Sequence, residues 1–258
     1  MIVVKDLYAG YGSGDVIKGI SFTARRGESL CILGPNGSGK STLLKTIARI
    51  IDYRGSISLE SGDTLTYRDI TSFPRKELAQ KIALLGQSTQ VFFPYTVYET
   101  VSLGRYPYAT GILKNLSGQD RAIIEDVMRK LDIWDISSRM IDELSGGQLQ
   151  RVLLAKTLAQ TPEIILLDEP TNHLDLKNQI DLMRYLKLWA KENNKTLIGV
   201  FHDLNLVQHF GDTALLLRNG TLAEWGNAGD VLKGETLKAV YGMDIGAFMR
   251  ESLGKWGT

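Results

Sequence analysis

The sequence predicts an α/β fold with a mixed, largely parallel core sheet, an antiparallel β subdomain at the N-terminus and an inserted helical subdomain. Three observations carry that expectation. Short, wholly apolar runs alternate with helix-patterned segments in the second half of the chain: Ile164–Leu167, then Gln179–Glu192, then Thr196–Phe201. Strands of that kind belong to a sheet covered on both faces. An apolar strand, a glycine-rich loop and a helix follow one another from Leu30 to Ile50. From about Val91 to Glu143 the periodicity turns helical, most plainly at Ile123, Ile124, Val127, Met128 and Leu131.

Taken in order, Ile2–Leu7 and Val16–Thr23 read as strands. The turn-rich Gly10-Tyr11-Gly12-Ser13-Gly14-Asp15 separates them, which gives an antiparallel start. Leu30–Leu33 reads as a buried strand containing Cys31, and Thr42–Ile50 as the helix after the loop. Lys81–Leu85 is a strand that runs into Gly86-Gln87. Helices are expected over Asp120–Leu131 and Gln148–Gln160, and Ala214–Leu217 followed by Arg218-Asn219-Gly220 is a strand and hairpin turn. A helix and a tail follow Asn227. The expected organisation is a single 1–258 domain. Its catalytic core is 1–90 with 144–226, its helical insertion 91–143, and its C-terminal extension 227–258.

With 258 residues, 43% of them hydrophobic, the chain is able to bury a substantial core. Lysine plus arginine number 30 against 29 acidic residues, a formal net charge of +1. That balance gives no global basic field to draw the protein to nucleic acid. A single cysteine, Cys31, excludes an intramolecular disulfide and a cysteine-rich zinc site. The apolar run at Met1-Ile2-Val3-Val4 is too short for a secretory signal. No segment reaches the roughly 18 uninterrupted apolar residues of a spanning helix, so any membrane role is expected to come through a partner.

The chemistry concentrates in Gly34-Pro35-Asn36-Gly37-Ser38-Gly39-Lys40-Ser41-Thr42. The spacing is that of G-x-x-x-x-G-K-[ST], the mark of a P-loop NTPase. Glycines let backbone N–H groups curl around a phosphate, Lys40 reaches the outer phosphates, and the Ser41 hydroxyl binds Mg²⁺. A helix N-terminus adds a favourable dipole. A glycine turn that merely joins strand to helix explains neither the lysine nor the hydroxyl. Asp168-Glu169 follow four apolar residues, so two carboxylates emerge where a buried strand ends. One suits Mg²⁺ and the other the polarisation of an attacking water; Asp-Glu-Pro alone reads rather as solvated charge closing a strand, and it is the upstream phosphate loop that makes a two-part nucleotide site the better reading. Leu144-Ser145-Gly146-Gly147-Gln148 precedes a helix, with Ser145 as cap and two glycines that allow backbone approach to a further phosphate.

Leu144–Arg151, read LSGGQLQR, resembles the signature of the ATP-binding-cassette (ABC) family, and the phosphate loop and Asp168-Glu169 stand in that family's order. The resemblance runs from Tyr11 to about Gly242. It implies that Tyr11 stacks on adenine, although Tyr8 nearby leaves an ordinary strand aromatic open. It implies that Gln87 senses Mg²⁺ and the attacking water, and that His202 contacts the γ-phosphate. Asn172-His173-Leu174-Asp175 resembles the loop that crosses the dimer interface; Asp175 alone could equally cap a helix. His173 and His209 read as structural. The implied cofactors are ATP and Mg²⁺. The implied assembly is two copies closed head to tail, each ATP lying between one copy's Lys40 loop and the other's Ser145-Gly146-Gly147 turn, with Glu169 activating water.

Pro94–Tyr108, Gly229-Asp230-Val231-Leu232 and Val240-Tyr241-Gly242 are similar to the ATPases of iron-siderophore, haem and vitamin B12 importers. Those ATPases often carry proline where this chain has Gly86. The expected partners are a second copy, polytopic membrane permease subunits and, indirectly, a solute-binding protein, with the chain peripheral on the cytoplasmic face of the membrane. The alternative is a soluble ABC ATPase of a cytosolic assembly machine, as in iron-sulfur-cluster assembly. A chromosome or DNA-repair ATPase fits poorly, because no sustained heptad run lies between the nucleotide motifs.

Overall fold

The computed structural model describes residues 1–12, 14–61, 66–86, 94–109, 115–172 and 174–255. In chain order the first elements are β1 (Ile2–Tyr11), β2 (Gly14–Ala24), β3 (Ser29–Leu33), α1 (Lys40–Ile47), β4 (Tyr53–Ser61), β5 (Thr66–Asp69), α2 (Arg75–Lys81) and β6 (Ile82–Leu85). Then come α3 (Val97–Ser102), α4 (Gly118–Lys130), α5 (Gly146–Ala159), β7 (Ile164–Asp168) and α6 (Leu176–Glu192). The last are β8 (Thr196–Val200), α7 (Leu204–Phe210), β9 (Thr213–Arg218), β10 (Thr221–Asn227), α8 (Ala228–Val231), α9 (Glu235–Tyr241) and α10 (Ile245–Gly254). The chain forms two compact units, Met1–Ile70 with Met183–Thr258, and Thr71–Leu182.

In the first unit an antiparallel sheet runs in the order β2-β1-β4-β5. Val3 pairs with Thr23, and Tyr11 pairs with Gly14, so the strands consume most of the turn expected at Gly10–Asp15. Ile2, Val4, Leu7 and Ala9 of β1 are buried, as are Ile57 and Leu59 of β4. Register shifts between Val4 and Leu7 let the exposed Lys5 and Asp6 bulge outward while Leu7 returns to the core. Strands β4 and β5 are additions to the sequence reading. They are polar on one face and become strands only by pairing, β4 with β1 and β5 with β4.

The second layer of this unit is β10-β9-β3-β8. Strand β3 is parallel to both β8 and β9. Every residue of β3 and β8 is buried, as a strand covered on both faces requires. Each fully buried Leu or Ile contributes about 1.5–3 kcal/mol of transfer free energy. Asn219 and Gly220, both at positive φ, make the tight turn of the expected β9–β10 hairpin. Helix α1 begins two residues before the expected Thr42 and stops at Ile47, because Arg49 turns into left-handed space at φ 56°.

In the second unit β6 and β7 pair in parallel, from Ile82 opposite Ile164 to Leu85 opposite Leu167. Strand β6 starts one residue later than expected because Lys81 closes α2. Thr96 with Glu99, Ser117 with Asp120, and Ser145 with Gln148 form reciprocal capping boxes that start α3, α4 and α5. A 3-10 turn over Leu103–Tyr108 lies so close to α5 that a Cβ on Gly104 would stand 2.2 Å from the Lys156 carbonyl oxygen. The neighbouring Arg105 is buried. It donates to Asp120 and to the Ala159 carbonyl, both at 2.8 Å, and lies over the Tyr108 ring.

Candidate functional site

The phosphate loop occupies the turn between β3 and α1. Gly34 sits at φ 144°, and a Cβ there would lie 2.4 Å from the Leu217 carbonyl oxygen and 2.8 Å from Ser38 Oγ. Only glycine fits. Gly39, at φ 101°, precedes α1 and supplies no side-chain cap, so the helix opens without an N-cap oxygen over its first backbone donors. Lys40 is 6% exposed. Its Nζ donates to the carbonyl oxygens of Gly34 at 2.8 Å and Pro35 at 3.0 Å, which folds the lysine over its own loop.

Ser38 carries the most telling atom: its Oγ is buried and has no hydrogen-bond partner. A buried hydroxyl left without a partner costs about 1–3 kcal/mol, so its presence points to a group that binds there. Uncapped helix donors, a lysine and a spare buried hydroxyl around a glycine turn are the chemistry that recognises a phosphate. Ser41 is half-buried in the first turn of α1, where its oxygen suits a phosphate-bound divalent cation. Thr42 is buried beside it, and Asn36 and Gly37 are exposed at the loop's crest.

Two further predicted residues share the unit with this loop. Ile32 of β3 pairs with Val200 of β8, and the Phe201 N–H donates to the Ile32 carbonyl at 3.3 Å. His202 therefore emerges at the same strand edge as Gly34, exposed to solvent, while Asp203 turns back to cap α7. Ligands of open α/β sheets bind at that edge. Tyr11 ends β1 and is 57% exposed, its ring open to stacking. His209 is exposed near the end of α7.

In the second unit Asp168 is the last residue of β7 and is buried. Glu169 follows at φ 54°, a left-handed conformation unusual for a residue with a side chain. Asn172 Nδ2 donates to Glu169 Oε2, and the Asn172 N–H donates to the Glu169 carbonyl at 3.2 Å. The carboxylate is thus aimed by its own turn. Ser145 and Gly146 are exposed at the start of α5, with Ser145 Oγ accepting from the Gln148 N–H at 3.3 Å.

Asp175 takes the helix-cap arrangement. It accepts from the Asn178 N–H and Asn178 Nδ2, both at 2.8 Å, and these bonds, the backbone one first, hold its carboxyl below the usual carboxylate range. Gln87 and His173 lie outside the described residues. Three contacts were not anticipated by sequence reasoning: Asn172 on Glu169, Gln150 on the Pro170 carbonyl, and Tyr241 on the Gly34 N–H. The first is local, three positions apart within DEPTN, and the second joins residues 20 positions apart. The third joins residues 207 positions apart and has no local signal.

The family model described as ABC transporter matches residues 17–172. An uncharacterized ABC transporter ATP-binding protein of Bacillus subtilis is 39% identical over 247 residues, covering 95% of this chain and 54% of that protein, so the chain spans about half of that relative. The petrobactin import ATP-binding protein of Bacillus subtilis is 34% identical, covering 95% of this chain and 94% of its own length. The hemin import ATP-binding protein of Mesorhizobium japonicum is 34% identical, with 93% and 91% covered. Among solved structures, a metal-chelate type ABC transporter in an inward-facing conformation superposes with a TM-score of 0.79 at 27% identity, covering 93% of this chain and 88% of that one. A dimeric ATP-binding cassette with ADP and phosphate gives a TM-score of 0.75 at 28% identity, with 88% and 99% covered. Among the described residues no helix is long and apolar enough to cross a membrane. A family match over more than half the chain, joined to relatives about a third identical along nearly all of it, shows that this chain belongs to the ABC transporter family as one of its ATP-binding ATPases.

Proposed function

We propose that this chain is the ATP-hydrolysing subunit that powers import of a metal chelate or corrinoid, of the iron-siderophore, haem or vitamin B12 class, through separate membrane subunits. The observation that carries the import reading is that relatives similar over more than nine-tenths of their own length are named for petrobactin and hemin import. The metal-chelate type transporter among the structural neighbours supports it. So do the exposed Tyr95, Leu103 and Tyr106 in the segment that resembles such importers, an apolar surface suited to a membrane subunit's cytoplasmic loop.

The roles in turnover are those that the family resemblance implies for these residues. The loop's backbone donors, Ser38 and Lys40 cradle the phosphates, and Tyr11 offers a flat face to adenine. Ser41 and Asp168, with Gln87, are the residues that would hold Mg²⁺, which supplies charge neutralisation at the phosphate oxygens. Glu169, aimed by Asn172, takes a proton from the attacking water as the bond between the γ-phosphorus and the ADP oxygen breaks. His202 donates towards the departing phosphate. Two copies closing head to tail place the Ser145-Gly146-Gly147 turn of each over the nucleotide of the other, a two-fold arrangement with two composite sites. The dimeric cassette among the structural neighbours supports that assembly. Loss of the phosphate loosens the clamp, and the opening drives the membrane partner from the cytoplasmic face.

The test is a mild-detergent pull-down of tagged Glu169→Gln protein with ATP and Mg²⁺ from its native cell. Co-purification of a polytopic permease is the expected result. Reproducible recovery of soluble assembly proteins alone, with permeases demonstrably extracted, overturns the import reading.

A further inference from the structure

The phosphate loop is held from behind by the far end of the chain. The Gly34 N–H donates to Tyr241 Oη at 3.1 Å. The carbonyl of the same residue accepts from Lys40 Nζ at 2.8 Å, and its α-carbon is pressed so near Leu217 that no side chain fits. A second hold lies at the other end of the loop, where the Gly220 N–H donates to the Ser38 carbonyl at 3.1 Å. The Lys18 N–H in turn donates to the Gly220 carbonyl at 2.8 Å.

Tyr241 is well supported for such a task. It is the last residue of α9, whose Leu237 and Val240 are buried, and Gly242 at φ 72° ends the helix immediately after it. Burial pushes the phenol up, against the opposite pull of the Gly34 N–H. The hydroxyl therefore stays neutral at ordinary pH and keeps a lone pair for Gly34.

The consequence concerns Lys40. As its Nζ turns towards an outer phosphate, its hold on the Gly34 and Pro35 carbonyls weakens. The Gly34 carbonyl then loses a restraint, while the Gly34 N–H, which belongs to the preceding peptide unit, keeps its own. We infer that Tyr241 is a positioning residue of the nucleotide site: its hydroxyl fixes the Leu33–Gly34 peptide so that the loop keeps its curvature when Lys40 turns to the phosphate. The inference rests on the ATP-binding reading of the loop. It makes helix α9 part of the nucleotide machinery, a role that no motif assigns to it.

The test is the full chain carrying Tyr241→Phe, which removes one oxygen and keeps the ring. Three quantities are read: affinity for a fluorescent ATP analogue with Mg²⁺, KM and kcat for ATP, and the melting temperature without nucleotide. The expected result is an affinity loss and a KM increase of about three- to tenfold, the size of one hydrogen bond, with kcat within about twofold; because the bond is made without nucleotide too, the nucleotide-free melting temperature falls by about 2–4 °C. Wild-type affinity in the variant overturns the inference, as does a kcat loss of about tenfold or more at unchanged KM. Failure of the wild-type chain to bind the analogue overturns the ATP-binding reading itself, and the inference with it. Hydrogen exchange of the Gly34 amide gives a check on the unmutated protein, independent of whether the variant folds: protection is expected, and exchange at the rate of an open amide overturns the proposal.

Discussion

Gln150 Nε2 donates to the Pro170 carbonyl at 2.8 Å in a buried bond. Helix α5, which starts at the Ser145-Gly146-Gly147 turn, is thereby fastened to the turn that carries Glu169. The turn proposed to reach a partner's nucleotide and the turn that carries the proposed catalytic carboxylate are thus joined by a buried hydrogen bond.

Gln150→Leu should separate these roles. The Pro170 carbonyl is left buried without its donor, at a cost of about 1–3 kcal/mol in urea unfolding. Glu169 then loses its fixed position, so kcat should fall by about 10- to 100-fold while ATP binding is kept. A variant with wild-type kcat would show that the Gln150 bond serves stability alone.

Glu169→Gln keeps the shape of the turn and the contact with Asn172 but cannot take a proton. Turnover should drop by about 10²–10⁴-fold, with the ATP-bound dimer accumulating in light scattering with ATP and Mg²⁺. Undiminished hydrolysis would remove Glu169 from the chemistry. Asn172→Ala should give a milder loss in kcat, because the carboxylate survives but is no longer aimed.

The sequence made some of this arrangement plain and hid the rest for physical reasons. The loop from Gly34 to Thr42 is legible because strand, turn and helix N-terminus are neighbours in the chain and each residue type has a local task. Strands β3, β7 and β8 are legible because burial on both faces leaves them uninterruptedly apolar. Strands β4 and β5 are not: apart from Ile57 and Leu59, their residues are largely polar, and what makes them strands is pairing, β4 with β1 and β5 with β4. Asp175 illustrates ambiguity of another kind, since an acidic residue before a helix caps it whatever else it does. Tyr241 stayed hidden because its partner is a backbone N–H at the opposite end of the sequence.

Ser38→Ala tests the phosphate cradle from an unusual direction. Most buried hydroxyls stabilise through a partner, but Ser38 Oγ has none. Its removal should leave the nucleotide-free melting temperature unchanged or slightly higher, since the buried group was unsatisfied. ATP affinity should fall by about three- to tenfold. A destabilised protein with normal affinity would contradict a phosphate role for this hydroxyl.

The Arg105–Asp120 pair offers a pH-resolved test in the segment that resembles the importers. Burial pushes the Asp120 carboxyl up, but the Ser117 hydroxyl and N–H and the Arg105 guanidinium together bring it below the usual carboxylate range. Because the folded value lies below the unfolded one, the stabilisation is complete above the ordinary carboxylate pKa of about 4. It disappears only as pH falls through the depressed folded value. The difference in unfolding free energy between wild type and Asp120→Asn should therefore be constant from neutral pH down to about 5 and shrink below about 4. Arg105→Ala should cost about 3–5 kcal/mol, because it leaves a buried carboxylate without its cation. Arg105→Met with Asp120→Leu should cost much less than the two single changes added together, since an apolar pair leaves no charge behind. Arg105 also ties the Leu103–Tyr108 turn to the end of α5, and Leu103 and Tyr106 of that turn are exposed. A folded Asp120→Asn protein should still bind ATP yet recover less permease in the detergent pull-down, whereas unchanged recovery would show that this turn does not form the docking surface.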